Sequence, residues 1–137
     1  MPRGLRANVY ALCALLWVSG VAWLVLHVAF AAHNEFGALP NRWEAPVMRV
    51  HGLLAVAGVF LLGWLMAAHV GARWAAYRNR PSGIALLTTA LVLIASGYAL
   101  YYSTGGFHEG AARVHEWLGA LAILAGLAHW WRQRAAR

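Results

Sequence analysis

Polar residues in this chain gather in short clusters, and between the clusters run stretches almost free of charge. A helix needs about 20 apolar residues to cross a hydrocarbon layer of ~30 Å. Four stretches reach that length, at about 8–32, 47–70, 83–102 and 111–131. Asn34, Gly37, Pro40 and Asn41 separate the first two, and Pro46 suits the first turn of the second. Arg78-Asn79-Arg80-Pro81-Ser82 separates the second from the third, with Ser82 placed as an N-cap. Thr104-Gly105-Gly106 breaks the third from the fourth. The pattern predicts an all-α integral membrane protein, a four-helix up-and-down bundle forming one domain over 1–137. The connections leave no room for an extramembrane domain.

The first stretch has features of a secretion signal, since Arg3 and Arg6 precede it and Ala29-Phe30-Ala31 resembles a cleavage site. Its apolar run is about 24 residues, against roughly 7–15 in the core of a signal peptide. A retained span is expected.

Composition sharpens the class. Hydrophobic residues make up 62 % and charged ones 11 %, where an ordinary soluble domain has roughly a quarter charged. With a mean hydropathy of +0.58, a disordered tail and a conventional water-soluble enzyme are both excluded. The net charge of +7 comes entirely from arginine, and the 11 arginines lie between apolar runs rather than in a patch. Basicity of this kind sets membrane orientation and does not point to nucleic acid. Arg3, Arg6, Arg73, Arg78, Arg80, Arg132, Arg134 and Arg137 fall on one side, and Arg42, Arg49 and Arg113 on the other. This bias predicts that both termini are cytoplasmic, with Glu35, Glu44, Glu109 and Glu116 all outside. Trp74, Tyr77, Trp130 and Trp131 suit the inner interface; Trp43, Trp117, Tyr101 and Tyr102 suit the outer one. The single cysteine, Cys13, reads as packing within an apolar run.

Seven histidines in so apolar a chain carry the functional signal, because an ionisable group inside a span is costly. His51 opens the second span and His69 closes it; His115 opens the fourth and His129 closes it. In an up-and-down bundle these two spans run the same way. His51 then shares the outer level with His115, and His69 shares the inner level with His129. His115 and His129 are 14 residues apart, near four turns and roughly 21 Å of rise. His51 and His69 are 18 apart, five turns and roughly 27 Å. Each pair therefore keeps to one helix face.

Between the paired histidines lie small residues. The fourth span reads His115, Gly119, Ala122, Gly126, His129, and the second begins His51, Ala55, Gly58. A small-residue stripe by itself signals close helix packing. Flanked by in-phase histidines, Gly58, Gly119 and Gly126 leave a slot suited to a flat porphyrin. Arg49-Val50-His51 and Arg113-Val114-His115 repeat one tripeptide. Arg49 and Arg113 are thus candidates to pair with haem propionates, or simply to snorkel at the interface. His27 is an alternative ligand, a bonded core histidine or part of a quinone pocket. His33 and His108 read as loop histidines, with His108-Glu109 a candidate proton relay, and Tyr98, Tyr101 and Tyr102 could edge an outer haem.

At these residues the chain resembles the small bacterial di-haem b-type cytochromes, related to the cytochrome b subunits of nickel-iron hydrogenases and formate dehydrogenases. The sharpest match is the fourth span, His115-Glu116-Trp117-Leu118-Gly119 followed by His129-Trp130-Trp131-Arg132, whose 14-residue histidine spacing recurs in that group. The resemblance implies haem b, two groups or one at the outer level, held by axial histidines in the bacterial cytoplasmic membrane. It further implies electron transfer between quinone and a redox partner, either a partner subunit or a soluble cytochrome. One departure stands out: relatives take an inner ligand from the cytoplasmic end of the first span, where this chain has no histidine. The inner haem would then use His69 and His129, although their spacings differ by roughly 6 Å of rise.

Two neutral imidazoles saturate haem iron, so such a site transfers single electrons and has no open position for substrate. The competing class is a non-redox accessory or assembly subunit packed by the same histidines and glycines. A copper or zinc carrier is a third reading, but it would favour histidines gathered at one depth.

Overall fold

A computed structural model describes residues 3–35, 37–71 and 80–135. Helix α1 covers Arg3–Ala29, followed by short strands β1, Ala32–Asn34, and β2, Gly37–Leu39. Helix α2 covers Glu44–Leu65 and continues as a π-helical turn, Met66–Val70. Helix α3 is described from Arg80 to Tyr102 and α4 from Gly105 to Ala135. All four helices are long and apolar enough to cross a membrane. Among the described residues the structure is therefore all-α apart from the small ladder between α1 and α2.

Two compact units divide it, Met1–Leu62 and Gly63–Arg137. In the first, α1 ends at Ala29, three residues short of the sequence expectation, because the chain turns into a hairpin. Ala32 pairs with Leu39 and Asn34 with Gly37. Gly37 takes φ +117°, a backbone conformation that only glycine adopts without strain. The start of α2 is built by Asn41 and Glu44. The Trp43 N–H donates to Asn41 Oδ1 at 3.0 Å, and the Asn41 N–H donates to Glu44 Oε1 at 2.7 Å. This reciprocal pattern is that of a capping box, and it moves the helix start from 47 to 44. Pro46 sits in the first turn, as expected.

In the second unit α3 and α4 pack side by side as an antiparallel hairpin. Only Ser103 and Thr104 lie between them, and Gly105 at φ +61° turns the chain straight into α4. That early start corrects the reading of His108 as a loop residue: His108 and Glu109 belong to the first turn and a half of α4. Ser82 is likewise not an N-cap, since the chain is already helical at Arg80. The Met66–Val70 turn is closed by the Gly71 N–H reaching back five residues to the Met66 carbonyl. Arg73, Trp74, Tyr77, Arg78, Asn79 and Arg137 lie outside the described residues, as do the side chains of Arg3, His33 and His69.

Burial is inverted relative to a water-soluble protein. Among the described residues no apolar side chain is buried, and the three buried residues are Ser19, Glu44 and Ser96, at 9 %, 6 % and 8 % exposure. Cys13 is exposed as well, so it does not pack a core. Phe60, Leu53, Trp117 and Trp131 stand open on the helix surfaces. Helices apolar on all sides, with polar groups turned inward, present a surface suited to lipid.

Candidate functional site

Each of the three buried polar residues holds a histidine. In the first unit Ser19 Oγ lies 2.9 Å from His51 Nδ1 and donates its own proton to the Leu16 carbonyl at 3.0 Å. In the second, Ser96 Oγ lies 3.0 Å from His115 Nδ1 and donates to the Val92 carbonyl at 2.7 Å, with Leu93 O at 3.2 Å. A third serine repeats the contact, with Ser82 Oγ 3.0 Å from His129 Nδ1.

The hydroxyl has one proton, and in Ser19 and Ser96 a helix carbonyl takes it. The oxygen can then only accept from the imidazole, so Nδ1 is the N–H nitrogen and Nε2 carries the ring lone pair. Histidines that bind metals usually have this arrangement, one nitrogen facing the metal and the other donating outward.

A glycine follows each of these serines. A Cβ at Gly20 would come within 3.2 Å of His51 Cε1, and one at Gly97 within 3.1 Å of His115 Cε1. Gly83 is looser, its Cβ position lying 4.0 Å from His129 Cε1. Serine therefore bonds the ring while glycine lets it lie against the neighbouring helix backbone. The register in the second unit is regular: Ser82 and Ser96 are 14 residues apart on α3, matching the 14 between His115 and His129 on α4. Both contacts follow from one antiparallel alignment.

A reading that follows histidines alone misses the serines. The signal was nevertheless in the chain, where three of the four serines are followed by glycine and two of these pairs repeat the histidine spacing. The glycines of the predicted slot behave differently from one another. A Cβ at Gly58 would meet Leu16 Cδ1 at 3.2 Å, and one at Gly119 would meet Leu93 Cδ2 at 3.8 Å. Gly126 has nothing within 4 Å. Close packing of α1 on α2 accounts for Gly58, whereas the space beside Gly126 is open.

His27 belongs to another network. Its Nδ1 donates to Glu44 Oε2 at 3.1 Å, and its ring stacks on Trp23 with centroids 4.8 Å apart. Asn41 Nδ2 adds a bond to the Phe30 carbonyl at 3.1 Å, so the end of α1 is tied to the start of α2. Arg113 lies 3.7 Å from Glu109 one turn away, with both side chains largely exposed. Arg49 is exposed and has no acidic partner among the described residues. Tyr98 and Tyr102 stack loosely at 4.4 Å on the open surface of α3, and Arg134 covers the Trp130 ring at 4.0 Å. No three histidine, cysteine or acidic side chains meet among the described residues, so these do not form a polydentate metal cage.

Comparison with known proteins yields no match to a family model, to a curated protein or to a solved structure.

Proposed function

We propose that the chain is a b-type cytochrome of the bacterial cytoplasmic membrane, with both termini cytoplasmic, that passes electrons between quinone and a redox partner. In this reading His51 and His115 would hold the iron of an outer haem b, and His69 and His129 that of an inner one. Bound haem with two axial imidazoles supplies one-electron transfer and nothing more. The chain's part is to hold the imidazoles, exclude water and offer charge to the propionates from Arg49 and Arg113.

One observation carries the proposal. His51, His115 and His129 each meet a serine through Nδ1, and for His51 and His115 a helix carbonyl takes the serine's own proton, which leaves Nε2 as the lone-pair nitrogen. The donor set fits haem iron, which takes a neutral imidazole through one nitrogen and is steadied through the second. The open space at Gly126, on the stripe between His115 and His129, fits as well.

The same serine–histidine bonds favour one second reading, a non-redox accessory subunit. Polar bonds between helices hold membrane bundles together without any cofactor. A dithionite-reduced minus air-oxidised spectrum of the purified protein, with haem counted per chain, separates the two. The cytochrome reading expects sharp low-spin b-type bands and two haems per chain, with a loss of haem in both His115→Ala and His129→Ala. Absence of haem from the wild-type protein leaves the packing subunit, and full low-spin haem in both variants refutes these ligands.

A further inference from the structure

The three serine–glycine steps recur too regularly for incidental packing. Two of their serines, Ser19 and Ser96, are among the few buried residues of the described chain, and each sits within a long apolar helix. Each hydroxyl closes a relay of the same order: helix carbonyl, serine oxygen, Nδ1–H. The following glycine brings the ring within 3.2 Å and 3.1 Å of where a Cβ would stand, so the ring cannot swing toward that helix if any larger residue is present. Ser103 is the contrasting case, since it bonds the Ala99 carbonyl at 2.7 Å and no described histidine.

We propose that Ser19, Ser82 and Ser96 are positioning residues of the haem sites, each fixing through Nδ1 which imidazole nitrogen meets iron and how strongly that nitrogen donates. The inference rests on the cytochrome reading. A hydrogen bond accepted from Nδ1–H increases the basicity of Nε2 and so favours ferric over ferrous iron. The duplication is uneven: the chain has three Ser-Gly steps for four candidate ligands, and none of them is left for His69. Among the described side chains, both outer ligands and the inner ligand His129 each have a serine.

The test uses the whole protein in detergent or nanodiscs, with haem per chain, optical redox titration and the low-spin ferric EPR signal as readouts. Ser96→Ala is expected to keep haem while the midpoint potential of one component rises and its EPR signal shifts. Ser19→Ala should act on the same component, and Ser82→Ala on the other. Ser96→Thr, which retains a hydroxyl, should return the potential toward wild type, and Ser103→Ala should leave both components unchanged. Haem retained with unmoved potential and EPR in Ser19→Ala and Ser96→Ala overturns the assignment. Loss of haem in Ser96→Ala supports it if Ser96→Thr restores haem, and overturns it if not. A wild-type protein without haem is a separate result, which removes the cytochrome reading on which the inference stands.

Discussion

Asn41 shows how much one side chain does where this chain leaves its first helix. Its Oδ1 accepts from the Trp43 N–H, its Nδ2 donates to the Phe30 carbonyl, and its own N–H is taken by Glu44. Glu44 is buried and also accepts from His27, so His27, Phe30 and Trp43 are joined through one carboxylate and one amide where α1 ends and α2 begins. Asn41→Ala removes two of these bonds and the cap of α2. Loss of such a cap costs about 1 kcal/mol. The variant should unfold earlier than wild type when heated in detergent, and an unchanged midpoint would mean the cap contributes nothing. The same network explains why His27 is a tie between helices: its Nδ1 is engaged by a carboxylate that also shapes the turn.

At the scale of helices, the glycines that matter are those beside histidines. Replacing a helical glycine by alanine ordinarily stabilises by about 0.5–1 kcal/mol, because glycine loses more backbone freedom on folding. Gly83→Ala should show that gain, since its Cβ would meet His129 only at ordinary contact distance. Gly97→Ala should not. Its Cβ would press on His115 Cε1 at 3.1 Å, and the ring is held at 3.0 Å by Ser96 and cannot easily retreat. Thermal unfolding of the pair therefore separates them, with Gly97→Ala below Gly83→Ala. Equal midpoints would show that the ring moves freely and that no cradle exists.

Much at this scale was legible in the chain. Apolar run lengths place all four helices, and His51, His115 and His129 lie on faces that meet a neighbouring helix. The contacts that hold those histidines were not legible from periodicity, because they join residues 32, 19 and 47 apart across antiparallel helices. Only a register connects Ser82 with His129 and Ser96 with His115, and a register is a property of two helices together. The start of α2 was hidden for a different reason. Asn41-x-x-Glu44 is a local signal, but its neighbours Pro40 and Pro46 make the segment look like a plain loop.

For the whole molecule, the distribution of charge makes a claim that can be tested without any cofactor. Within the first unit α1 and α2 form one antiparallel hairpin, and within the second α3 and α4 form another. Glu35 and Glu44 lie at one tip, Glu109 in the second turn of α4 and Glu116 about two turns further along. Among the described residues Arg3, Arg6, Arg80, Arg132 and Arg134 lie at the opposite ends of these helices and Arg42, Arg49 and Arg113 toward the tips, and in the sequence the remaining three arginines fall outside the tip segments. Arginine bias of this size sets topology, and acids contribute little to it. A reporter that functions only in the cytoplasm should therefore be active when fused after Gln133. One that functions only outside should be active when inserted at Gly37 and silent at the C-terminus. The reverse pattern would put Arg49 and Arg113 on the cytoplasmic side and exchange the levels assigned to the two histidine pairs. It would leave the serine contacts untouched, because these lie within each hairpin and do not depend on which side of the membrane it faces. Topology and ligation are thus independent claims on this chain, and each can fail without the other.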